Sequence, residues 1–350
     1  MVKTRFQPTR KKNKFIIRRG KNAKGLTKTE RSQVKKIAES TISNVAEAKY
    51  MNAQIHLGDR PVRSTLGPSR VGVLAYSTSL SNTADGIQLT YGYAPNNAQI
   101  PIKELKMLRP FVPATGNAQT DNYALVGREC KPKHAECKWR FSREISEMLN
   151  VITASGYVTD IQTPPINLAQ NLPIIFRMIR VNPKQSQTNI LCDPKEDLFL
   201  DRFNNAIGVD SGTFDDTELL TYRTNRRRYN VLEDKFFRVQ NGLTIQWQRV
   251  AAPTGSTALQ PIISNTNANC EKLLTTNHQL TRTKHGSVFY DSPEATQLEA
   301  PSSGHKREFV LIHAMYAGAE AFFDGEPTAN PTFPDDVKIT ASPLCKFTDV

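Results

Sequence analysis

Branched and aromatic residues recur along this chain in short runs, bounded by Pro, Gly, Asn and Asp, a pattern of strands and turns rather than of long helices. One helix stands apart near the N-terminus. Thr27-Lys-Thr-Glu30 fits a capping box, and Val34, Ile37, Thr41, Val45 and Ala48 then return every three or four residues, which predicts a helix over 28–49. Its stripe is narrow and Arg31, Lys35 and Lys36 lie off it, so the helix either packs on the body while presenting charge to a polyanion or acts as a spacer.

From residue 60 onward the text is β. Strands are predicted over 71–80 and 86–93, with a turn at Asn82 to Asp85, followed by a long loop over 94–122 in which 105–111 is a short element. Over 127–142 the alternation puts Cys137, Trp139 and Phe141 on one face and Lys138, Arg140 and Ser142 on the other. A largely apolar strand over 173–184 carries Arg177 and Arg180, and a short helix is predicted over 195–208 from the spacing of Leu198, Phe199, Phe203 and Ile207, closing on Gly208. Three further strands are read over 219–223, 225–239 and 243–250, with Asn241-Gly242 as a turn signal before the last. Residues 251–305 read as loops around one or two weak strands. The almost continuous apolar run 306–317 predicts a strand buried on both faces, interior to a sheet. Seven or eight strands with long, Pro-rich connections predict an all-β fold, a single jelly-roll β-sandwich over 50–350.

Charge changes this picture. Residues 1–49 hold 15 basic and 3 acidic side chains, against 46 and 33 in all 350, so nearly all of the net +13 sits in one seventh of the chain. Residues 1–27, with Lys3, Arg5, Arg10, Lys11, Lys12, Lys14, Arg18, Arg19, Lys21 and Lys24, contain no carboxylate, and Lys28 comes directly after them. Such a block lacks the apolar surface to offset its ordering entropy, so it is expected to be a disordered arm that binds phosphate backbones without reading bases. A solvated import or solubility tail is the competing reading. No apolar run approaches a membrane span and no signal core succeeds the first charges, so neither a membrane partner nor secretion is expected.

Five cysteines, widely spread, argue against a disulfide framework. Cys130, His134 and Cys137 suggest zinc only weakly, because strand parity puts Cys130 and His134 on one face and Cys137 on the other; core-facing thiols are expected instead. His313 reads as a hydrogen-bonded core histidine. Asp215-Asp216 and Asp335-Asp336 are either loop carboxylates or ligands of an interface calcium. No common enzyme signature occurs, and neither a cofactor nor a metal is expected. Arg226, Arg227 and Arg228 form the basic triplet outside the arm. They either contact phosphate or form a strand-entry face paired with Glu233, Asp234 or a neighbouring subunit. Arg177, Arg180, Lys138 and Arg140 are candidates for a shared inward face.

The order of basic arm, Gly127-Arg-Glu-Cys130 strand, 175–184, Asp201-Arg-Phe-Asn-Asn-Ala-Ile-Gly208, 226–239 and late apolar strand resembles the capsid proteins of circular, Rep-encoding single-stranded DNA viruses, the circovirus-like group. In that group a strand Arg-Tyr-x-Val-Leu-x-Asp-Lys-x-Phe recurs, matched here by Tyr229, Val231, Leu232, Asp234, Lys235 and Phe237. The arm departs from typical members in using more Lys and shorter Arg runs. The resemblance implies a subunit that self-assembles into an icosahedral homo-oligomeric shell, packages a single-stranded DNA genome on its arm, and uses the arm to engage a host import receptor, so that it is found in the virion and the host nucleus. The competing expectations are a monomeric nucleic-acid-binding nuclear or movement protein, and a β-sandwich enzyme with a basic targeting tail.

Overall fold

The computed structural model describes residues 27–45, 48–64, 70–80, 88–91, 98–111, 124–125, 127–143, 172–184, 192, 194, 198–207, 217–251, 257–266, 268–283, 286–291, 300–317 and 334–349. Residues 1–47 and 48–350 form two compact units.

In the first unit, helix α1 spans Lys28–Val45. Its capping box is formed: the Thr27 N–H donates to Glu30 Oε2 at 2.9 Å and the Glu30 N–H to Thr27 Oγ1 at 3.3 Å. These bonds to Thr27 hold the Glu30 carboxyl below its ordinary value. The helix ends before the predicted 49, because Lys49 belongs to a strand of the second unit. There its Nζ lies 2.5 Å from Asp349 Oδ2 and 2.8 Å from the Ala124 carbonyl, so it is not a free arm cation.

The second unit is all-β. One antiparallel sheet is built from β1 (Lys49–Tyr50), β2 (His56–Asp59), β7 (Glu129–Arg143), β14 (Glu271–Asn277), β15 (Val288–Phe289) and β17 (Val337–Asp349), in the order β1-β17-β7-β14, with β2 beside β17 and β15 beside β7. The other contains β3 (Val62–Arg63), β4 (Gly72–Ser77), β5 (Gln88–Tyr91), β6 (Ala98–Glu104), β8 (Ile174–Pro183), β11 (Tyr229–Val239) and β16 (Phe309–Tyr316), in the order β11-β8-β16-β4-β6-β5, with β3 beside β4. Its pairs are antiparallel except β4 with β6. Two small pairs complete the set: β9 (Phe199–Leu200) with β10 (Arg223–Thr224), and β12 (Leu243–Ala251) with β13 (Thr257–Thr266).

One core layer joins side chains of both sheets. Cys137, Trp139 and Phe141 of β7 and Ile339, Cys345 and Phe347 of β17 pack with Tyr76 of β4, Phe176 and Met178 of β8 and Ile312 and Tyr316 of β16. Phe141, Phe176 and Phe237 form an aromatic cluster with centroids 4.8 to 5.2 Å apart. A second layer lies on the other face of the larger sheet, where Cys192, Leu198, Phe199, Ile207, Leu219 and Tyr222 cover Val73, Ala75, Ile179, Val181 and Leu311. The described residues of the excursion between β8 and β11 thus act as a lid over that sheet. Two covered faces explain why β16, flanked by β8 and β4, is apolar apart from His313, in line with the almost continuous apolar run predicted there.

Several local expectations fail for identifiable reasons. Over the described residues 199–207 the predicted 195–208 helix does not form: Phe199–Leu200 is a strand, and the Asp201 carboxylate accepts the N–H groups of Phe203 and Asn205 at 2.7 and 2.8 Å, closing a turn in which Asn204 takes φ 65°. That leaves Phe203 68% exposed, whereas the helical spacing would bury it. The loop read over 94–122 contains β6, and 219–223 divides between the end of a 3-10 turn, Thr217–Leu220, and the first residue of β10. Asn241-Gly242 makes no hairpin, since β11 pairs with β8 and β12 with β13. Residues 251–305 hold β13, β14 and β15, and β17 was not anticipated at all, although Val337, Ile339, Ala341, Pro343, Cys345 and Phe347 alternate inward without a break. The predicted turn at Asn82 to Asp85 lies outside the described residues.

Candidate nucleic-acid interface

Of the residues expected to bind phosphate, Lys3, Arg5, Arg10, Lys11, Lys12, Lys14, Arg18, Arg19, Lys21 and Lys24 lie outside the described residues. Lys28 is exposed in the first turn of α1. The triplet Arg226, Arg227 and Arg228 is not in a strand. It forms a turn that leads into β11, because the Asn225 side-chain carbonyl accepts the N–H groups of Arg227 and Arg228 at 3.1 and 3.4 Å and the Tyr229 N–H returns to the Asn225 carbonyl at 3.0 Å. Lys184 fastens the other side, its Nζ donating to the Arg226 carbonyl at 2.6 Å. All three arginines are exposed.

Glu233 and Asp234, named as intramolecular partners of the triplet, are otherwise engaged. Asp234 takes a bidentate pair from Arg177 at 2.8 and 2.7 Å, and Glu233 accepts from Arg180 at 3.0 Å and pairs with Lys235. Arg177 also donates to the Leu219 carbonyl at 2.9 Å, which ties the lid to β8. Arg180 reaches Glu308 Oε1 at 2.6 Å and the Asn277 carbonyl at 2.5 Å. Both strand arginines are therefore buried and neutralised. Lys138 and Arg140 point away from the core of the other sheet, where Arg140 pairs with Glu271, so the four cations do not share a face.

The triplet instead joins residues that sequence reasoning passed over. Arg226 and Arg227, Arg223 of β10, Tyr222 and Asn204 of the lid, and Phe236 of β11 line one open cleft of about 810 Å³. Among the described residues Arg223, Arg226 and Arg227 have no carboxylate partner, and Asp234, the acid in the cleft wall, is held by Arg177. The signal available in the sequence was Asn225 ahead of three arginines, a turn former that exposes the side chains after it.

Four of the five thiols and the His313 imidazole are buried. Register shifts at Lys133, so that Pro132 opposes Phe347 while His134 opposes Lys346. This bulge reverses the parity expected for the strand: Cys130 and Cys137 both face the core, and His134 is on the outer face, 3.2 Å from Glu136. Burial pushes the Cys130 thiol up to about 12 and raises Cys137 and Cys345 as well, and all five cysteines are free. His313 is wholly buried, its ring 5.8 Å from that of Phe199, and burial lowers its pKa to about 3. Asp336 accepts from Arg143 at 2.6 Å and from the Tyr316 hydroxyl at 2.7 Å; Asp215 and Asp216 lie outside the described residues. No group of three or more His, Cys, Asp or Glu among the described residues could hold a metal ion. Likewise, among the described residues no helix is long and apolar enough to cross a membrane. No family model and no curated protein matches this chain.

Proposed function

We propose that this chain is a viral capsid subunit, a jelly roll that self-assembles into an icosahedral shell and packages a single-stranded DNA genome through its basic N-terminal segment. The observation that carries the reading is the strand order. Taking β1 with β2, then β4, β7, β8, β11, β14, β16 and β17 as eight successive strands, the first, eighth, third and sixth form one sheet and the second, seventh, fourth and fifth the other. Pairing the chain's two ends first and its middle last is what results when one long antiparallel hairpin is rolled up into two sheets, the arrangement of jelly rolls in shells and lectins.

A lectin or enzyme on the same framework has no need of a segment such as 1–47, which holds 14 basic and 3 acidic residues. In this reading the segment neutralises phosphates without reading bases and doubles as the feature an import receptor engages, with assembly in the host nucleus. The body supplies self-association and no catalysis. Electron microscopy of the purified full-length protein tests the reading: closed particles of uniform size support it, and a species that stays monomeric at high concentration with nucleic acid present overturns it in favour of a monomeric nucleic-acid-binding factor.

A further inference from the structure

We infer that the cleft between the lid and β11 seats one nucleotide of a single strand, its base stacked on Phe236 and its flanking phosphates on Arg223, Arg226 and Arg227. This rests on the packaging reading above and adds a contact on the body to the one on the arm. The cleft's volume, about 810 Å³, falls within the usual range for small-ligand sites.

The residue that decides the ligand class is Phe236. It is 56% exposed in the middle of an eleven-residue strand, while its neighbour Phe237 packs into the aromatic cluster between the sheets. The Arg177 guanidinium lies 5.3 Å from the Phe236 ring centre and steadies the ring. Arg177 itself is spent on Asp234 and Leu219, so it does not compete for an incoming anion. The three cations that do face the cleft sit on a rigid turn and a short strand, exposed and without carboxylate partners among the described residues. An open ring beside unpaired guanidinium groups matches a nucleotide, which offers a π-face and phosphate together. A sulfated polysaccharide or an acidic peptide backbone satisfies the arginines and leaves the ring unused.

The test is photo-crosslinking of the full-length protein to an oligothymidylate carrying iododeoxyuridine, at a salt concentration where occupancy is partial, with the adducts mapped by mass spectrometry. Adducts are expected on the segment containing Phe236 as well as on the arm. Phe236→Ala lowers the body adduct roughly tenfold, Phe236→Trp restores it, and joint Arg226→Gln and Arg227→Gln lowers it and flattens its salt dependence. Because the ring is on the surface, the melting temperature of Phe236→Ala stays near that of the parent. Adducts confined to residues 1–49 overturn the inference while leaving packaging intact. An adduct that survives Phe236→Ala but not the arginine pair also overturns it, and makes the cleft a plain anion patch. Absence of any binding, together with absence of particles, overturns both readings.

Discussion

Arg180 Nε donates to Glu308 Oε1 across 2.6 Å, and the Glu308 side chain is completely buried. His278 Nδ1 stands 3.0 Å from the same oxygen, poorly aligned for a hydrogen bond, and its Nε2 is 2.9 Å from Thr276 Oγ1, which accepts the Trp139 indole N–H at 2.8 Å. This polar chain runs from β7 and β14 of one sheet to β8 and the residue just before β16 in the other. Removing one member strands a buried charge, so Arg180→Met is expected to destabilise the body by about 3–5 kcal/mol. The double variant Arg180→Met, Glu308→Gln leaves no buried charge behind and should recover part of that loss. Chemical denaturation of the four proteins of the cycle measures both; a single variant within experimental error of the parent would refute the arrangement.

The same carboxylate makes the fold acid-sensitive. Burial raises Glu308, but His278 and Arg180 outweigh burial and hold it below its ordinary value; Glu233, next to Arg180 and Lys235, is lowered too. Lowered carboxyls contribute stability that is complete above their unfolded values, about 4.3, and is lost as pH falls through the folded ones. His313 and His305 act earlier. Their pKa values fall to about 3 and about 4, first through burial and then through nearby arginines, so below roughly pH 6.5 the unfolded chain takes up protons that the folded one refuses. Stability should decline from about pH 6.5 downward, each histidine adding up to ~1.4 kcal/mol per pH unit until its folded value is reached. His313→Gln should flatten the decline in equilibrium denaturation between pH 6.5 and 4.5. An unchanged slope would show that His313 titrates normally.

Trp139 is almost wholly buried between the sheets and edge-on to Tyr76 at 5.1 Å. Trp139→Ala is expected to cost about 3–5 kcal/mol, and Trp139→Phe less, since it removes the indole N–H bond to Thr276 but leaves that hydroxyl its His278 and Cys137 partners. Thermal melts distinguish the two.

Gly304 has φ +79°, and a Cβ there would meet the Ser287 carbonyl oxygen at 2.2 Å. The new Cβ would meet a backbone atom, with no flexible side chain to yield. Gly304→Ala should therefore destabilise by about 2 kcal/mol or more, and an unshifted melt would place this loop differently.

Deleting residues 1–28 removes charge and little apolar surface. The shortened protein should keep a cooperative melt and lose most of its affinity for single strands. The full-length subunit, held unassembled, should show a log affinity against log salt slope of about −4 to −8, and residues 50–350 only a small remainder set by the cleft. A body that keeps most of the slope would make the triplet the principal site and the arm chiefly an import signal.

Much of this protein is written locally. The concentration of charge before residue 50, the Thr27–Glu30 cap, the inward Cys137, Trp139 and Phe141 and the doubly buried strand at 309–316 all come from nearest-neighbour chemistry and period, which act the same in any context. What the tertiary structure alone decided is pairing. Which strands lie side by side, that a bulge at Lys133 turns Cys130 inward, and that Arg177 and Arg180 are silenced while Arg223, Arg226 and Arg227 are left facing a ring, each depend on groups that approach from tens to hundreds of residues away. Arg180 and Glu308 are 128 positions apart, and neither side chain carries in its own neighbourhood any mark of the other. A guanidinium in a strand reads the same in sequence whether it will meet a phosphate or a buried carboxylate, because the difference is made by desolvation, and desolvation exists only once the sheets have packed.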